Sequence, residues 1–102
     1  MAAILVLGTI DLDPANRDAF IAAATKVMEA THAEEGCEHY AFTADLTDPG
    51  RFHVSEQWAS AEALAQHQAS AHLADFMLGM GGFGLKGASL TRWEGATPSK
   101  ML

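Results

Sequence analysis

The segment from Ala3 to Leu12 restricts the fold more than any other part of the chain. Ile4, Val6 and Ile10 fall in one alternating set, and Leu5 and Leu7 fall in the other. Successive side chains of a strand point to opposite faces, so a strand apolar in both sets needs cover on both. The remaining sequence has to supply that cover.

Asp13-Pro14 marks a helix start, with Asp13 as the N-cap and Pro14 at the first helical position. Phe20, Ala24, Val27, Met28 and Thr31 recur at helical spacing and predict its inner face, with Gly36 as the C-terminal stop. Cys37 to Ala44 and Arg51 to Trp58 read as two strands joined by a turn containing Asp48-Pro49-Gly50. Ser60 caps a short helix with Glu62 in its first turn, and Ser70 caps a further short turn through Leu73, Phe76 and Met77. After the glycine-rich residues 79 to 87, Ala88 to Glu94 predicts a last strand. The order is β-α-β-β-α-β, which defines a ferredoxin-like α+β fold. A four-stranded antiparallel sheet with helices on one face leaves its other face bare. We therefore expect a homodimer through the sheet face.

With 102 residues, the chain predicts one domain over residues 1–95 and a loose tail over 96–102. Six Lys and Arg against 13 Asp and Glu give a net charge of -7, which argues against nucleic acid and anionic membranes as partners. The apolar run near the N-terminus stops at Gly8-Thr9, too short for a signal core or a membrane span. The single cysteine, Cys37, leaves no internal disulfide, and a cytoplasmic location is expected.

Function is concentrated between Gly36 and Phe76, where a strand, a turn and a strand ending in Trp58 precede His67 and His72. Trp58 reads as a core aromatic that could also wall a pocket for a flat ring. His67 and His72 are five residues apart, off the same-face spacing of one helix, and converge only if the helix breaks near Ser70. Either could act as a general base, or be a satisfied structural histidine. Glu56 shares a strand face with Val54 and Trp58 and would need a buried partner, a histidine or Arg92. His39 and His53 raise the question of metal. No His-Glu-x-x-His or Cys-x-x-Cys is present, and no facial-triad spacing, so no metal is expected. Gly79 to Gly84 is not a phosphate loop, because it precedes a strand; the glycines from Gly79 to Gly87 read as a flexible connection, and Met80 and Phe83 could make it an apolar lid. An RNA-recognition reading fails as well, since Val54 and Glu56 stand where stacking aromatics are needed.

Taken together, these residues resemble the antibiotic biosynthesis monooxygenase (ABM) domain family. The resemblance is carried by Glu34-Glu35-Gly36-Cys37, Asp48-Pro49-Gly50-Arg51-Phe52, Glu56-x-Trp58, Ala63-Leu64, His67 and Ser70-x-His72-Leu73-x-x-Phe76. It implies a dimeric α+β barrel with a pocket between sheet and helices, near which Glu56, Trp58, His67 and His72 fall. The family includes cofactor-independent oxygenases of anthrones and quinols, haem-degrading enzymes, and an isomerase of a phosphorylated sugar derivative. Haem degraders need an asparagine on the first strand, absent here; His67 stands at their tryptophan position and Met77 near their ligand position. Basic residues suited to a phosphorylated substrate are scarce.

The combined expectation is a monooxygenase of a quinol, anthrone-like or other small aromatic substrate, using no cofactor. His67, Glu56 and His72 would be catalytic, and Trp58, Phe76, Tyr40 and Met77 would contact the substrate. The alternatives are an isomerase or lyase using the same histidine, or a non-enzymatic small-molecule-binding dimer.

Overall fold

β1 (Ala3–Leu12) lies between β3 (Arg51–Trp58) and β4 (Leu85–Ala96), antiparallel to both, and β2 (Cys37–Ala44) pairs with the far side of β3. The strand order β2-β3-β1-β4, with its helices, is the ferredoxin-like α+β arrangement expected from the element order. The computed structural model describes residues 3–102; Met1 and Ala2, which the expected domain includes, lie outside the described residues.

The helices cover the face that carries Ile4, Val6, Ile10 and Leu12, all buried. α1 (Arg17–His32) buries Phe20, Ala24, Val27 and Thr31, while Met28 is only partly buried. Phe20 is the hub of this layer: it is fully buried, its ring 4.6 Å from Phe52 and edge-on to Phe42 at 5.8 Å and Phe83 at 5.6 Å. Such contacts add to the area a large aromatic buries.

Several local expectations change. Asp13 does cap, accepting the Ala15 N–H at 2.9 Å, but the first turn, Pro14–Asn16, is a 3-10 turn and the α-helix starts at Arg17. α1 ends on the backbone bonds of Ala33 and Glu34 to Ala30 and Thr31, so Gly36 is not its stop. Gly36, at φ +82°, instead turns the chain into β2. Beyond α2 (Ala61–Gln68), Ser70 starts a full helix, α3 (Ala71–Gly79), rather than a single turn. The glycine-rich residues are ordered into the end of α3, a 3-10 turn over Met80–Phe83 and the start of a longer last strand. Met80 is buried in the core. These elements became more regular because packing of Met80 and Phe83 outweighs the helix and strand cost of glycine.

The outer sheet face is apolar only in part. Leu5, Leu7 (46% exposed) and Trp93 (55% exposed) form an apolar stripe on β1 and β4, while His39, Thr43, His53 and Ser55 make the β2–β3 half polar. No helix among the described residues is long and apolar enough to cross a membrane.

β4 is exposed along nearly its whole length, yet its inner face closes the edge of the site. Gly8 allows this. A Cβ placed there would lie 1.9 Å from the Ser89 carbonyl oxygen and 2.7 Å from a Leu90 methyl. The close approach lets Leu90 fold over β1. Gly8→Ala is therefore expected to destabilise the protein by roughly 1–3 kcal/mol through overpacking against backbone. Urea denaturation measures this, and an unchanged midpoint would contradict it.

Candidate active site

One lateral row of the sheet carries the polar chemistry. Tyr40 pairs with Glu56, Glu56 with Val6, and Val6 with Arg92, so these four residues cross all four strands on the helix-covered face. Above the row lies a cavity of about 520 Å³, a size suited to a small organic molecule. Its walls are largely apolar, with Phe42, Leu64, Phe76, Met77, Met80 and Leu90 among them. Tyr40, Glu56, His67, Gln68 and Arg92 supply its polar groups.

The histidines reach this region because the helix breaks. The Ser70 hydroxyl donates to the His67 carbonyl at 2.6 Å and accepts the Leu73 N–H at 3.4 Å, ending one helix and capping the next. The five-residue spacing, divergent on a continuous helix, thereby converges to ring centroids 6.1 Å apart. Glu34 lies between the two rings. Its Oε2 is 2.7 Å from His67 Nδ1 and 3.1 Å from His72 Nε2. Glu34 sits in the turn after α1, which Gly36 holds against α2: a Cβ on Gly36 would meet the Ala63 Cβ at 2.5 Å, and Ala59 N–H donates to the Gly36 carbonyl at 2.8 Å.

A carboxylate accepts and cannot donate, so Glu34 places the His67 proton on Nδ1. Nε2 then carries the lone pair, since the ring's hydrogen bond among the described residues is made through Nδ1. The ring itself is fixed. It is 3% exposed, tilted over Trp58 at 4.8 Å and edge-on to Tyr40 at 5.0 Å.

Glu56 finds a different partner from either expected one. Its Oε1 accepts the Trp58 indole N–H at 2.9 Å, while Arg92 forms an ion pair with Glu94 at 2.9 Å. Burial pushes the Glu56 carboxyl above its ordinary range, opposed by the indole hydrogen bond and by His67. Burial, reinforced by the Glu56 and Glu34 charges, likewise pushes the Tyr40 phenol up, so it stays a neutral donor.

His67, Glu56, Tyr40, Phe76 and Met77 thus line one cavity. Trp58, expected as a ring-holding wall, does not line it; it is fully buried behind His67 and Glu56 and supports both. His72 stands behind His67, on Glu34, and does not line the cavity. Glu34 was missed as a site residue, since no periodicity marks a turn residue; its only signal is membership of the Glu34-Glu35-Gly36-Cys37 motif. Glu34, His67 and His72 also offer three donor atoms within 4.8 Å of one another, a two-histidine, one-carboxylate set of the kind that binds zinc or ferrous iron. Sequence spacing could not reveal this set, because its members come from three separate elements.

A ferredoxin-like sheet with this cavity on its helix side defines a class of small α+β domains, and the comparisons narrow the class. Residues 3–78 match the family model described as antibiotic biosynthesis monooxygenase, so the chain belongs to the ABM family. An uncharacterized protein of Synechocystis sp. is 31% identical over 74 residues, 72% of this chain and 50% of that protein. The chain thus spans half the length of this curated relative. A solved structure from Bacteroides thetaiotaomicron, a conserved protein of unknown function described as a possible oxidoreductase, is 28% identical. It superposes with a TM-score of 0.82 over 91% of this chain and 97% of that one. A structure from Deinococcus radiodurans, described as a candidate antibiotic biosynthesis monooxygenase, has a TM-score of 0.88 at 20% identity, covering 97% and 98% of the two chains. At that identity the likeness speaks for the fold.

The Glu56 shift has a measurable sign. The unfolded chain releases this proton near pH 4.5 and the folded chain releases it higher. The stability Glu56 contributes is full below the unfolded value and is lost as pH rises through the folded one. Glu56→Gln keeps an oxygen for the Trp58 N–H and removes the titration. Its stability relative to wild type should rise as pH increases from about 4.5. Denaturation series at several pH values measure this, and a difference that does not change with pH would contradict it.

Proposed function

We propose that this chain is a cofactor-independent monooxygenase of a hydroxylated aromatic, quinol or anthrone-like substrate. The observation that supports this most is the Glu34–His67 hydrogen bond, which leaves the second imidazole nitrogen free in a histidine that lines an apolar cavity. His67 Nε2 takes the proton of a phenol or of an activated CH₂ group. Apolar walls leave the resulting anion poorly solvated and electron-rich. The anion passes an electron to O₂ and the radical pair combines, forming a carbon–oxygen bond. The peroxide is protonated by the imidazolium or by Glu56, whose carboxyl keeps its proton to higher pH than a free one. Loss of the remaining C–H proton with O–O cleavage gives a carbonyl and water. For anthrone the balance is C₁₄H₁₀O + O₂ → C₁₄H₈O₂ + H₂O, with one oxygen atom in each product.

In this reading His67 is the base, Glu56 the proton donor, and Phe76, Met77 and Tyr40 contact the ring. Glu34 positions His67, and His72 acts through Glu34. The same base and acid in one cavity would equally serve proton transfer between two carbons, so an isomerase or lyase is the second reading. We further read the protein as a homodimer, supported by the Leu5, Leu7 and Trp93 stripe on the outer face, and as cytoplasmic, in keeping with its single cysteine.

With anthrone as probe, we expect one O₂ consumed per anthraquinone formed and no turnover without oxygen. His67→Ala should lower kcat/KM about 10²–10⁴-fold, and excess chelator should leave the rate unchanged. Oxygen-electrode and product-mass measurements decide this. Equal anaerobic turnover would favour the isomerase reading, and loss of activity on chelation, restored by metal, would make Glu34, His67 and His72 a metal centre. Analytical ultracentrifugation should give twice the chain mass, reduced to one chain mass by Leu7→Glu in the outer-face stripe.

A further inference from the structure

The proposed reaction uses the cavity's His67 and Glu56 end and leaves Arg92 without a role. Arg92 is the only Arg or Lys among the described residues that lines the cavity, in a chain with just six Lys and Arg. It lies two strands from Glu56 in the same lateral row, about 10 Å away at ordinary strand spacing. Val6 lies between them, so the floor runs from carboxyl to aliphatic to guanidinium. Arg92 has one protein partner, Glu94, paired through Nε two residues along the same strand and 65% exposed. The two terminal guanidinium nitrogens carry no hydrogen bond among the described residues. An exposed pair of this kind contributes little and is readily exchanged for another anion.

We infer that the substrate carries a carboxylate at the end remote from its reacting hydroxyl or methylene, and that Arg92 binds that carboxylate. Chemistry selects this group. A guanidinium presents a planar fork that matches a carboxylate in two parallel hydrogen bonds. One cation against apolar walls balances one negative charge, whereas a phosphate dianion would need a second cation, and the cavity offers none among its described residues. Orientation follows from charge. The Glu34 carboxylate behind His67 repels an anion at that end, and burial there disfavours any further charge, so the carboxylate goes to Arg92 and the hydroxyl goes to His67 Nε2. Arg92 is thus a specificity residue that sets which end of a flat ring reaches the base.

This inference rests on the cavity holding a hydroxylated aromatic, and its test separates the two ideas by measuring binding rather than turnover. Calorimetric titration of the full chain with three probes is sufficient: 2-naphthol, 6-hydroxy-2-naphthoate and 3-hydroxy-2-naphthoate. The 2,6-isomer, with its groups at opposite ends, should bind about tenfold more tightly than 2-naphthol. The 2,3-isomer, with its groups adjacent, should show no such gain. In Arg92→Gln the gain should disappear while 2-naphthol still binds, which also reports that the variant folds. Equal affinity of 2-naphthol and the 2,6-isomer, or a gain that persists in Arg92→Gln, would overturn the carboxylate inference and leave the aromatic-cavity reading standing. Failure of all three probes to bind would overturn both.

Discussion

Much of the site depends on a single carboxylate oxygen. Glu34 Oε2 accepts from two imidazoles at once, at 2.7 and 3.1 Å, and thereby determines where the proton of His67 resides. Three unrelated local features must agree for this to happen. The α1–β2 turn has to present Glu34, Gly36 has to leave room for α2 to settle on that turn, and Ser70 has to break the helix. Hydrogen bonds to a charged group are among the stronger ones, and they have strict geometry. A small error in any of the three elements would leave His67 either mis-oriented or in the wrong tautomer.

The second constraint is the overhang of β4. Helices cover β2, β3 and β1, and the last strand extends past them, so its inner face forms the rim of a cavity rather than part of a core. The same geometry explains why one lateral row holds a buried phenol, a carboxyl and a partly exposed guanidinium. Moving across the sheet from β2 to β4, cover holds over the first three strands and falls off at the last. Tyr40 is 3% exposed and Glu56 8%, whereas the Arg92 side chain is 39% exposed. Charge follows cover: the deeper groups tend toward neutral forms and the cation sits where water still reaches it.

Much of the fold was legible because its signals are local. The bounds of β1, β2 and β3 follow from alternation and from the turn residues between them, and the Ser60 cap defines the start of α2. Signals that compete with tertiary packing were misread. Glycines at 79 to 87 suggested a flexible connection, but Met80 and Phe83 insert into the core and order that segment. Trp58 reads as a core aromatic that could also wall a pocket, because sequence shows that a residue faces inward and not how deep it lies; it takes the core position alone. It is covered completely by His67 and Glu56 on its cavity side.

By itself, the sequence determined the order of the four strands along the chain, the apolar inner face and the family resemblance. Those properties arise from short-range periodicity, capping and turn chemistry, all contained within a few consecutive residues. Only the tertiary structure decided that Glu34 holds both histidines, that Trp58 serves Glu56 and lies behind the cavity, and that Arg92 faces the cavity across two strands. Each of these depends on the distance between side chains far apart in the chain. That distance is set by sheet register and helix packing, which no single stretch of sequence contains.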